Sequence, residues 1–318
     1  MRNSITASAA LAAAAIIIAA SLSAQTPAPA TPAAPAAPPA APSVASTEWR
    51  AVDSVIGRAG SVQPGAVMRY SFPRSDLDVM ANGVKVLPAF ALGSWVAFKH
   101  VGGQAMVMGD LVLTEDEVGP VMAKLQAGGV EPTALHNHVL GESPRVMYMH
   151  IAAYRDEMTI AHAIHDALAL TKTPPAQAIP VIPATIDLDT PALAVALGYT
   201  GRINGGVFQV SVPRAQRIFD GGMEVPPSMG VATVINFEPT GGGNAAITGD
   251  FVMTADEVSA VIRALQSHHI QPTALHSHML TESPRLFFMH FWANGNAVTL
   301  AQGVRAALAE MRVQAPGR

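Results

Sequence analysis

The sequence of 318 residues contains no cysteine. Disulfides, thiolate metal sites, a cysteine nucleophile and a lipidated cysteine anchor are therefore excluded. Charged residues are also scarce, at 13% of the chain, and 19 lysines and arginines face 23 aspartates and glutamates. Without a basic stripe to neutralise phosphates, the composition disfavours nucleic-acid binding. A Gly-rich phosphate loop and a Gly-x-Ser-x-Gly elbow are absent as well, so the sequence shows neither a nucleotide-binding nor a serine-hydrolase motif.

Long hydrophobic runs are missing too. The apolar run over residues 10–22 is shorter than the ~20 residues that a membrane-spanning helix needs. Because Arg2 precedes this run and small residues follow it, the pattern predicts a signal peptide over residues 1–24, the alternative being an uncleaved anchor. We therefore expect an exported protein, periplasmic or secreted, without a transmembrane span after cleavage. Residues 25–46 are almost wholly Ala, Pro, Thr and Ser, which predicts a semi-rigid linker.

The most specific pattern in the sequence occurs twice. Residues 134–150 read Ala-Leu-His-Asn-His-Val-Leu-Gly-Glu-Ser-Pro-Arg-Val-Met-Tyr-Met-His. Residues 274–290 read Ala-Leu-His-Ser-His-Met-Leu-Thr-Glu-Ser-Pro-Arg-Leu-Phe-Phe-Met-His. The second copy follows at a constant offset of 140 residues, as from His136 to His276. A repeated His-x-His, Glu, Pro-Arg and His is too particular to arise from packing preferences, so the pattern indicates a duplicated domain with a chemical role.

The flanking residues show the same order of elements on both sides, α-β-β-β-α-β-β-α. In each copy a capping box opens an amphipathic helix, Thr114 with Glu117 and Thr254 with Glu257. The mostly short links favour antiparallel strands. We expect an α+β fold of two tandem homologous domains, each a mostly antiparallel sheet with helices, packed about a pseudo-twofold axis. The predicted bounds are 47–172 for the first repeat, 173–185 for a proline-rich linker and 186–318 for the second repeat.

The two strands of the motif are predicted to form a hairpin that closes through residues 141–145. Pairing across it places His136 opposite His150 and His138 opposite Tyr148, so that three histidines share one face. In the second repeat, His276, His278 and His290 are likewise predicted to share one face of the hairpin. The opposite face is predicted to be core; in the first repeat its apolar residues are Leu135, Val139, Met147, Met149 and Ile151.

Such a face suits a metal. Histidines at i and i+2 of one strand, with a third on its neighbour, can converge on a divalent transition metal, for which zinc, copper and iron are candidates. The glutamate of the motif would be a fourth ligand or a general base on metal-bound water, which raises the option of metal-assisted hydrolysis. One site per repeat is predicted. The candidate ligands are His136, His138, Glu142 and His150 in the first repeat, and His276, His278, Glu282 and His290 in the second.

Other residues of the motif allow further roles and a second interpretation. Arg145 and Arg285 would hold the glutamate in place or bind a substrate carboxylate or phosphate. Asp110 and Asp250, present in both copies, would orient a ligand histidine or belong to a turn. In the alternative interpretation no metal is bound: the histidines would hydrogen-bond to one another across the strands, and Glu142 would form an ion pair with Arg145. The protein would then be a non-enzymatic binding or scaffold module of the cell envelope.

Three runs of sequence carry a family resemblance. They are Gly-Asp-Leu-Val-Leu-Thr-Glu-Asp-Glu-Val at 109–118, the 134–145 motif with its His-Asn-His and Glu-Ser-Pro-Arg, and Pro-Arg-Leu-Phe-Phe-Met-His-Phe-Trp-Ala-Asn at 284–294. Over nearly all of residues 47–318 the chain resembles the LppY/LpqO family, which is named after two lipoproteins and catalogued as a domain of unknown function. The resemblance implies an exported envelope protein whose partner is an unknown small molecule or envelope component. It supplies no established activity, so no catalytic residue is carried over. The lack of cysteine departs from the lipoprotein members and favours a soluble form.

Metal analysis of purified, untagged protein tests the metal hypothesis. If each repeat holds its own metal, replacing His136 and His138 with Ala removes about half of the metal, because the second repeat is intact. Loss of all metal from this variant would instead show one site shared by the repeats. Wild-type protein that carries only traces of metal and takes up none on titration would contradict metal binding.

Overall fold

The computed structural model describes residues 48–176 and 185–315. The predicted signal peptide (1–24), the predicted linker at 25–46 and most of the predicted linker at 173–185 lie outside these residues. Both repeats consist of an antiparallel sheet with helices packed on it, which confirms the α+β fold. Within the described residues, no helix is both long enough and apolar enough to cross a bilayer.

The first repeat contains one six-stranded sheet with the strand order β1-β2-β5-β6-β9-β7, and a small sheet with the order β4-β3-β8. Short strands that the sequence did not predict account for the difference from the expected element order. The elements are α1 (Arg50–Ile56), β1 (Ser61–Gln63), β2 (Val67–Pro73), β3 (Met80–Ala81), β4 (Val84–Lys85), β5 (Gly93–Val101), β6 (Gln104–Thr114), α2 (Glu115–Ala127), β7 (Glu131–His136), β8 (Glu142–Ser143), β9 (Val146–Arg155) and α3 (Glu157–Leu168).

The second repeat has the same main sheet, with the strand order β10-β11-β14-β15-β17-β16, and a two-stranded sheet of β12 and β13. A short 3₁₀ helix precedes β14. The elements are α4 (Thr190–Leu197), β10 (Arg202–Asn204), β11 (Val207–Pro213), β12 (Ile218–Asp220), β13 (Met223–Val225), the 3₁₀ helix Pro227–Met229, β14 (Ala232–Gly241), β15 (Asn244–Met253), α5 (Ala255–Ser267), β16 (Gln271–His276), β17 (Phe287–Asn296) and α6 (Ala297–Leu308).

The central strands are covered on both faces. Every residue of β6 from Ala105 to Leu113 is buried, as is nearly all of β15. An antiparallel sheet with one solvated face would instead alternate buried and exposed residues. One face meets the helices of the same repeat, where Met149 and Ile151 of β9 pack with Ile160 of α3. The other face must therefore meet something else.

That other face meets the second repeat. Met106 and Met108 of β6 share one apolar cluster with Met279, Leu286 and Phe288. A second mixed cluster joins further residues of the two repeats; it includes Val112, Val139, Tyr148, Val207, Ala246 and Trp292. The two main sheets thus face each other, with the helices on the outside.

Contacts between the repeats are reciprocal. The hydroxyl of Thr133 donates to the backbone carbonyl of His278 at 2.6 Å, and the hydroxyl of Thr273 donates to that of His138 at 2.5 Å. The two donors are 140 residues apart in the sequence, and so are the two acceptors. Each repeat thus supplies one donor and one acceptor, as in an isologous interface. The repeats are therefore related by a local pseudo-twofold axis that passes near the motif.

One part of the predicted core is wrong. Val139, Met149 and Ile151 are buried, but the side chain of Leu135 is 42% exposed, and its counterpart Leu275 is 51% exposed. Both leucines lie on the last strand of their sheet, β7 or β16. At this edge of the sheet nothing in the described part of the chain fully covers the outer face. The alternation of apolar and polar residues along a strand therefore does not by itself show that an apolar residue is buried.

A fully buried arginine fixes α2 to the sheet. Arg74 donates to Glu117 Oε2 and to the carbonyl of Val112, both at 2.7 Å, and also bonds Asp76. Arg214 makes the equivalent bonds to Glu257 and Val252 in the second repeat. Each glutamate also closes the capping box of its helix, so one carboxylate positions both the helix and the arginine.

Glu117→Ala is expected to lower the free energy of unfolding by about 3–5 kcal/mol, because the charge of Arg74 would stay buried without its main partner. Chemical denaturation measures this change. Arg145→Ala is the control, since Arg145 lies 3.7 Å from Glu115 and both side chains are 67% exposed. Its expected effect is within about 1 kcal/mol. Equal effects of the two substitutions would contradict the assignment.

Candidate metal centre

The motif strands pair in a register different from the predicted hairpin. His136 at the end of β7 lies opposite Tyr148, and Ala134 lies opposite His150. The prediction was wrong by two residues because the chain leaves the sheet after His136, and Glu142 pairs with the small sheet at β3 instead of closing a tight turn. A shift of two residues keeps each side chain on its predicted face, so His136 and His150 still share one face.

The six motif histidines form one cluster between the sheets. The motif faces of the two sheets point at each other across the pseudo-twofold axis, which brings the histidines of both repeats together. That each repeat holds its own metal stays a prediction. Each histidine ring of one repeat stacks on a ring of the other. The stacked pairs, with the distances between ring centroids, are His136 and His276 at 3.6 Å, His138 and His290 at 3.7 Å, and His150 and His278 at 3.5 Å.

Two aspartates face the cluster. Asp110 and Asp250 lie within β6 and β15, opposite His150 and His290 in the neighbouring strands, and not in turns. Asp250 Oδ2 is 3.3 Å from Nε2 of His278. The occurrence of these aspartates in both repeats indicated a role. The pattern of apolar residues could not show whether the aspartates lie within a strand or in a turn.

Two aromatic residues also contact the cluster. The ring of Tyr148 stacks on His138 with 3.2 Å between centroids, and Phe288 stacks on His278 at 3.5 Å. Sequence reasoning placed Tyr148 beside His138 but gave it no role. These rings hold the imidazole planes of the two histidines, which lie beyond the ends of β7 and β16.

The two glutamates of the motif lie in its loops. Glu142 Oε1 accepts a hydrogen bond from the backbone N–H of Val146 at 3.2 Å, and Glu282 Oε1 accepts one from Leu286 at 2.9 Å. Among the described residues, the group of close donor atoms that could hold a metal consists of histidines alone. The expected ligand role of the glutamates therefore has no support in this geometry, and their carboxylates stabilise the loops.

The arginines of the motif also lie apart from the cluster centre. Arg145 is near Glu115, whereas Arg285 donates to Glu282 at 3.1 Å and to the hydroxyl of Ser277 at 3.2 Å. Arg285 thus holds the glutamate in place, as one of the two sequence interpretations expected. A substrate-binding role for Arg145 and Arg285 stays a prediction.

Four histidines, from both repeats, form a group of donors whose ring nitrogens lie close together. One ring nitrogen from each of them lies within 4.8 Å of the others. This four-histidine group consists of His136, His276, His278 and His290. Three of its members belong to the second repeat and one belongs to the first.

Backbone carbonyls orient these rings. His290 Nδ1 is 2.7 Å from the carbonyl of Gly249, and His136 Nδ1 is 3.2 Å from that of Asn137. A ring that donates from Nδ1 carries the free lone pair on Nε2, which is the arrangement of a metal-binding histidine with its supporting hydrogen bond. In both rings Nε2 is buried and has no partner among the described residues.

Among the residues described here, most of the buried side-chain atoms without a hydrogen-bond partner lie in the cluster. Each such atom loses its hydration without gaining a hydrogen bond, which costs about 1–3 kcal/mol. A cation would compensate several of them at once. The atoms are Asp110 Oδ1, His136 Nε2, His138 Nε2, His150 Nε2, Asp250 Oδ1, His276 Nδ1 and His290 Nε2.

Burial also sets the charge of these groups. Desolvation lowers the pKa of His136 to about 4 and that of His290 to about 3, and it lowers the pKa of the other four histidines below the usual value. Desolvation raises the pKa of Asp110 to about 7 and raises that of Asp250 as well. The imidazoles are therefore neutral at pH 7, which is the form that binds a metal.

A family described as "Domain of Unknown Function (DUF1259)" matches residues 50–170 and again residues 191–310. The two matched regions confirm the duplication. No curated protein matches the chain. Among solved structures, "Crystal structure of a trimeric bacterial microcompartment shell protein PduB" is similar over 79% of this chain and 89% of that chain, at 12% identity and a TM-score of 0.22. A score this low supports no argument about fold or function.

Acid is expected to destabilise the metal-free protein. Between about pH 6.5 and pH 4 the unfolded chain protonates its histidines, whereas the folded cluster keeps them neutral. The unfolded state then binds more protons, so the free energy of unfolding falls as the pH is lowered through this window. The raised pKa of Asp110 has the opposite effect, because the folded state binds that proton more tightly than the unfolded state does. Six histidines outnumber the two aspartates, so the net effect of acid is a loss of stability.

Denaturation of chelator-treated protein at pH 7 and pH 5 measures this effect. His290→Gln should reduce the loss of stability, whereas His162→Gln, which changes an exposed histidine of α3, should leave it unchanged. Metal-free protein that is equally stable at both pH values, or more stable in acid, would contradict the account of the cluster.

Proposed function

The chain belongs to the family described as Domain of Unknown Function (DUF1259), and we propose that it binds a divalent transition metal in the histidine cluster between its repeats. One observation carries the proposal: four neutral imidazoles from both repeats bring their donor atoms within 4.8 Å of one another. Backbone carbonyls already direct the free Nε2 atoms of His136 and His290 into this group.

The four-histidine group suits zinc, copper or iron, all of which accept imidazole. In a tetrahedral zinc site, Zn–N bonds of about 2.0–2.1 Å place the nitrogens roughly 3.4 Å apart. Small rotations of the four rings would bring the donors together. The stacked pair of His136 and His276 would then contribute one ligand from each repeat.

A site with four protein ligands favours binding over catalysis. Such a site leaves no coordination position for a water molecule, which is the pattern of structural zinc sites. Two surface cavities, with volumes of about 430 and 220 Å³, lie elsewhere, beside Tyr199 and beside Trp49. Metal-assisted hydrolysis would therefore need an open coordination position for water, which four histidine ligands do not leave.

One contact favours a second candidate function. Nε2 of His276 lies 2.9 Å from Nε2 of His278, which suits a hydrogen bond between one protonated and one unprotonated nitrogen. In that case the cluster is a metal-free polar network that joins the repeats. The protein would then be a binding or scaffold module, and its partner an envelope component.

We also propose that the protein is exported and acts in the periplasm or outside the cell. The support is the sequence alone: the signal-peptide pattern over residues 1–24, the linker over residues 25–46 and the resemblance to the LppY/LpqO family. The lack of cysteine favours a form without a lipid anchor. Cell fractionation with N-terminal sequencing tests this; protein found in the cytoplasm with an intact Met1, and absent from the periplasm and medium, would contradict it.

Paired substitutions test whether one metal is shared. His136→Ala and His276→Ala each remove a ligand of the same group, so each is expected to weaken zinc binding by the same large factor. Because both residues serve one ion, the two single variants and the double variant should all lose the same ion, and the double variant should lose no further one, as the stoichiometry of the titration shows. Isothermal titration of chelator-treated protein with zinc measures the affinities.

Glu282→Gln is the matched control, since the carboxylate of Glu282 accepts from a backbone N–H in the loop. Its zinc affinity should equal that of the wild type. A wild type that binds two zinc ions, of which each single variant loses a different one and the double variant loses both, would show two independent sites, one per repeat. Wild-type protein that takes up no zinc would overturn the proposal and favour the metal-free network.

A further inference from the structure

We infer that Thr133 is a positioning residue for the proposed metal, because its hydroxyl holds the ligand His278 of the other repeat in place. This rests on the proposed function, since His278 is one of the four histidines whose donor atoms lie together. Thr133 itself binds no metal. It acts on the site through the backbone of a ligand.

His278 is the one ligand of the group that lies outside a strand. His136 ends β7, His276 ends β16 and His290 lies within β17. The ladders of the main sheets therefore hold the backbone of these three residues. The last pair between β16 and β17 joins His276 to Phe288, so the ladder stops before His278. A contact outside the sheet has to fix the backbone there.

Thr133 supplies that contact from the first repeat. Its hydroxyl donates to the backbone carbonyl of His278 at 2.6 Å, near the short end of the usual range of about 2.5–3.0 Å for hydroxyl donors. The bond is partly buried, so water competes with it less than it would at an open surface. One residue of β7 thus determines where the chain runs beyond the end of β16.

A β-bulge aims this hydroxyl across the interface. In the pairing of β7 with β9 the register shifts between Pro132 and Ala134, which leaves Thr133 as an extra residue. A bulge interrupts the alternation of side chains and turns the local side chain in a new direction. The bulge therefore accounts for a threonine that reaches the other repeat, while the ligand His136, three residues further on, keeps its place in the ladder.

The backbone bond complements the contacts of the His278 ring. This ring stacks on the rings of Phe288 and His150, each with 3.5 Å between centroids. Stacking fixes the plane of the imidazole but allows the ring to slide within that plane. The position within the plane depends on the backbone, which Thr133 holds. Loss of the hydroxyl should therefore displace the donor nitrogen of His278 from the other three ligands without removing it.

The second repeat contains the same bond without a proposed ligand at its end. Thr273 also follows a proline at a register shift, and its hydroxyl donates to the backbone carbonyl of His138 at 2.5 Å. His138 is not a member of the four-histidine group found among the described residues. The two threonines thus make equivalent contacts across the interface, and only the contact of Thr133 leads to a proposed ligand.

Paired threonine substitutions in the full chain test the inference. Valine keeps the shape of threonine and removes its hydroxyl, so Thr133→Val and Thr273→Val each break one of the two equivalent bonds. Titration of chelator-treated protein should show a zinc affinity about tenfold weaker in Thr133→Val than in the wild type, as for other residues that orient a ligand. Thr273→Val is the matched control and should bind zinc as the wild type does. Thr133→Ser keeps the hydroxyl and should recover most of the affinity.

Stability and spectra separate a positioning role from a structural one. Both valine variants should lower the free energy of unfolding of the metal-free protein by similar amounts, because each leaves one carbonyl without its donor. Only Thr133→Val should also change the visible absorption of the cobalt-loaded protein, since that spectrum depends on the arrangement of the ligands around the ion.

The outcomes distinguish this inference from the proposed function. Wild-type zinc affinity in Thr133→Val, or an equal loss of affinity in the two valine variants, would overturn the inference and leave the four-histidine site intact. A wild type that binds no zinc would overturn both.

A crystal structure of the zinc-loaded wild type decides the matter if Thr133→Val fails to fold. We expect His278 bound to zinc, with its carbonyl still within hydrogen-bonding distance of Thr133 Oγ1. A zinc-bound His278 without that bond would overturn the inference.

Discussion

The burial of polar donor atoms between two sheets is the constraint on which the rest of the structure depends. Within the part of the chain that the structure describes, seven buried nitrogen and oxygen atoms of the cluster have no hydrogen-bond partner, and burying such atoms works against folding. The apolar contacts around them, such as Met106 with Phe288, must supply the stability that the cluster does not. Under the proposed function a cation offsets this cost, since neutral imidazoles and carboxylates both bind cations.

Duplication supplies the geometry of this site. A single repeat presents its motif histidines on an open sheet face, with no partner on the other side. When two repeats pack about a pseudo-twofold axis, each ring stacks on a ring of the other repeat, as His136 does on His276. The interface between the repeats is thereby also the candidate site. In the proposed function, metal binding and the packing of the two sheets are coupled, because an ion held by both repeats would stabilise their contact.

Much of the fold could be predicted from the sequence. The α+β class, the duplication and the capped helices follow from periodicity, from the 140-residue offset and from the pairs Thr114 with Glu117 and Thr254 with Glu257. The faces of His136 and His150 were also correct, because strand side chains alternate with period two. The register, the exposure of Leu135 and the position of Asp110 depend on contacts distant in sequence. The sharing of one cluster could not be predicted either, since the pattern of one repeat does not specify what its polar face meets.

Anomalous diffraction from crystals of the zinc-loaded protein would test the central claim most directly, namely that both repeats hold metal in one place. We expect an anomalous peak at the zinc edge between the two sheets, within bonding distance of His136 from the first repeat and of His276, His278 and His290 from the second. Separate peaks at Glu142 and Glu282, each with ligands from one repeat only, or no peak between the sheets, would contradict it.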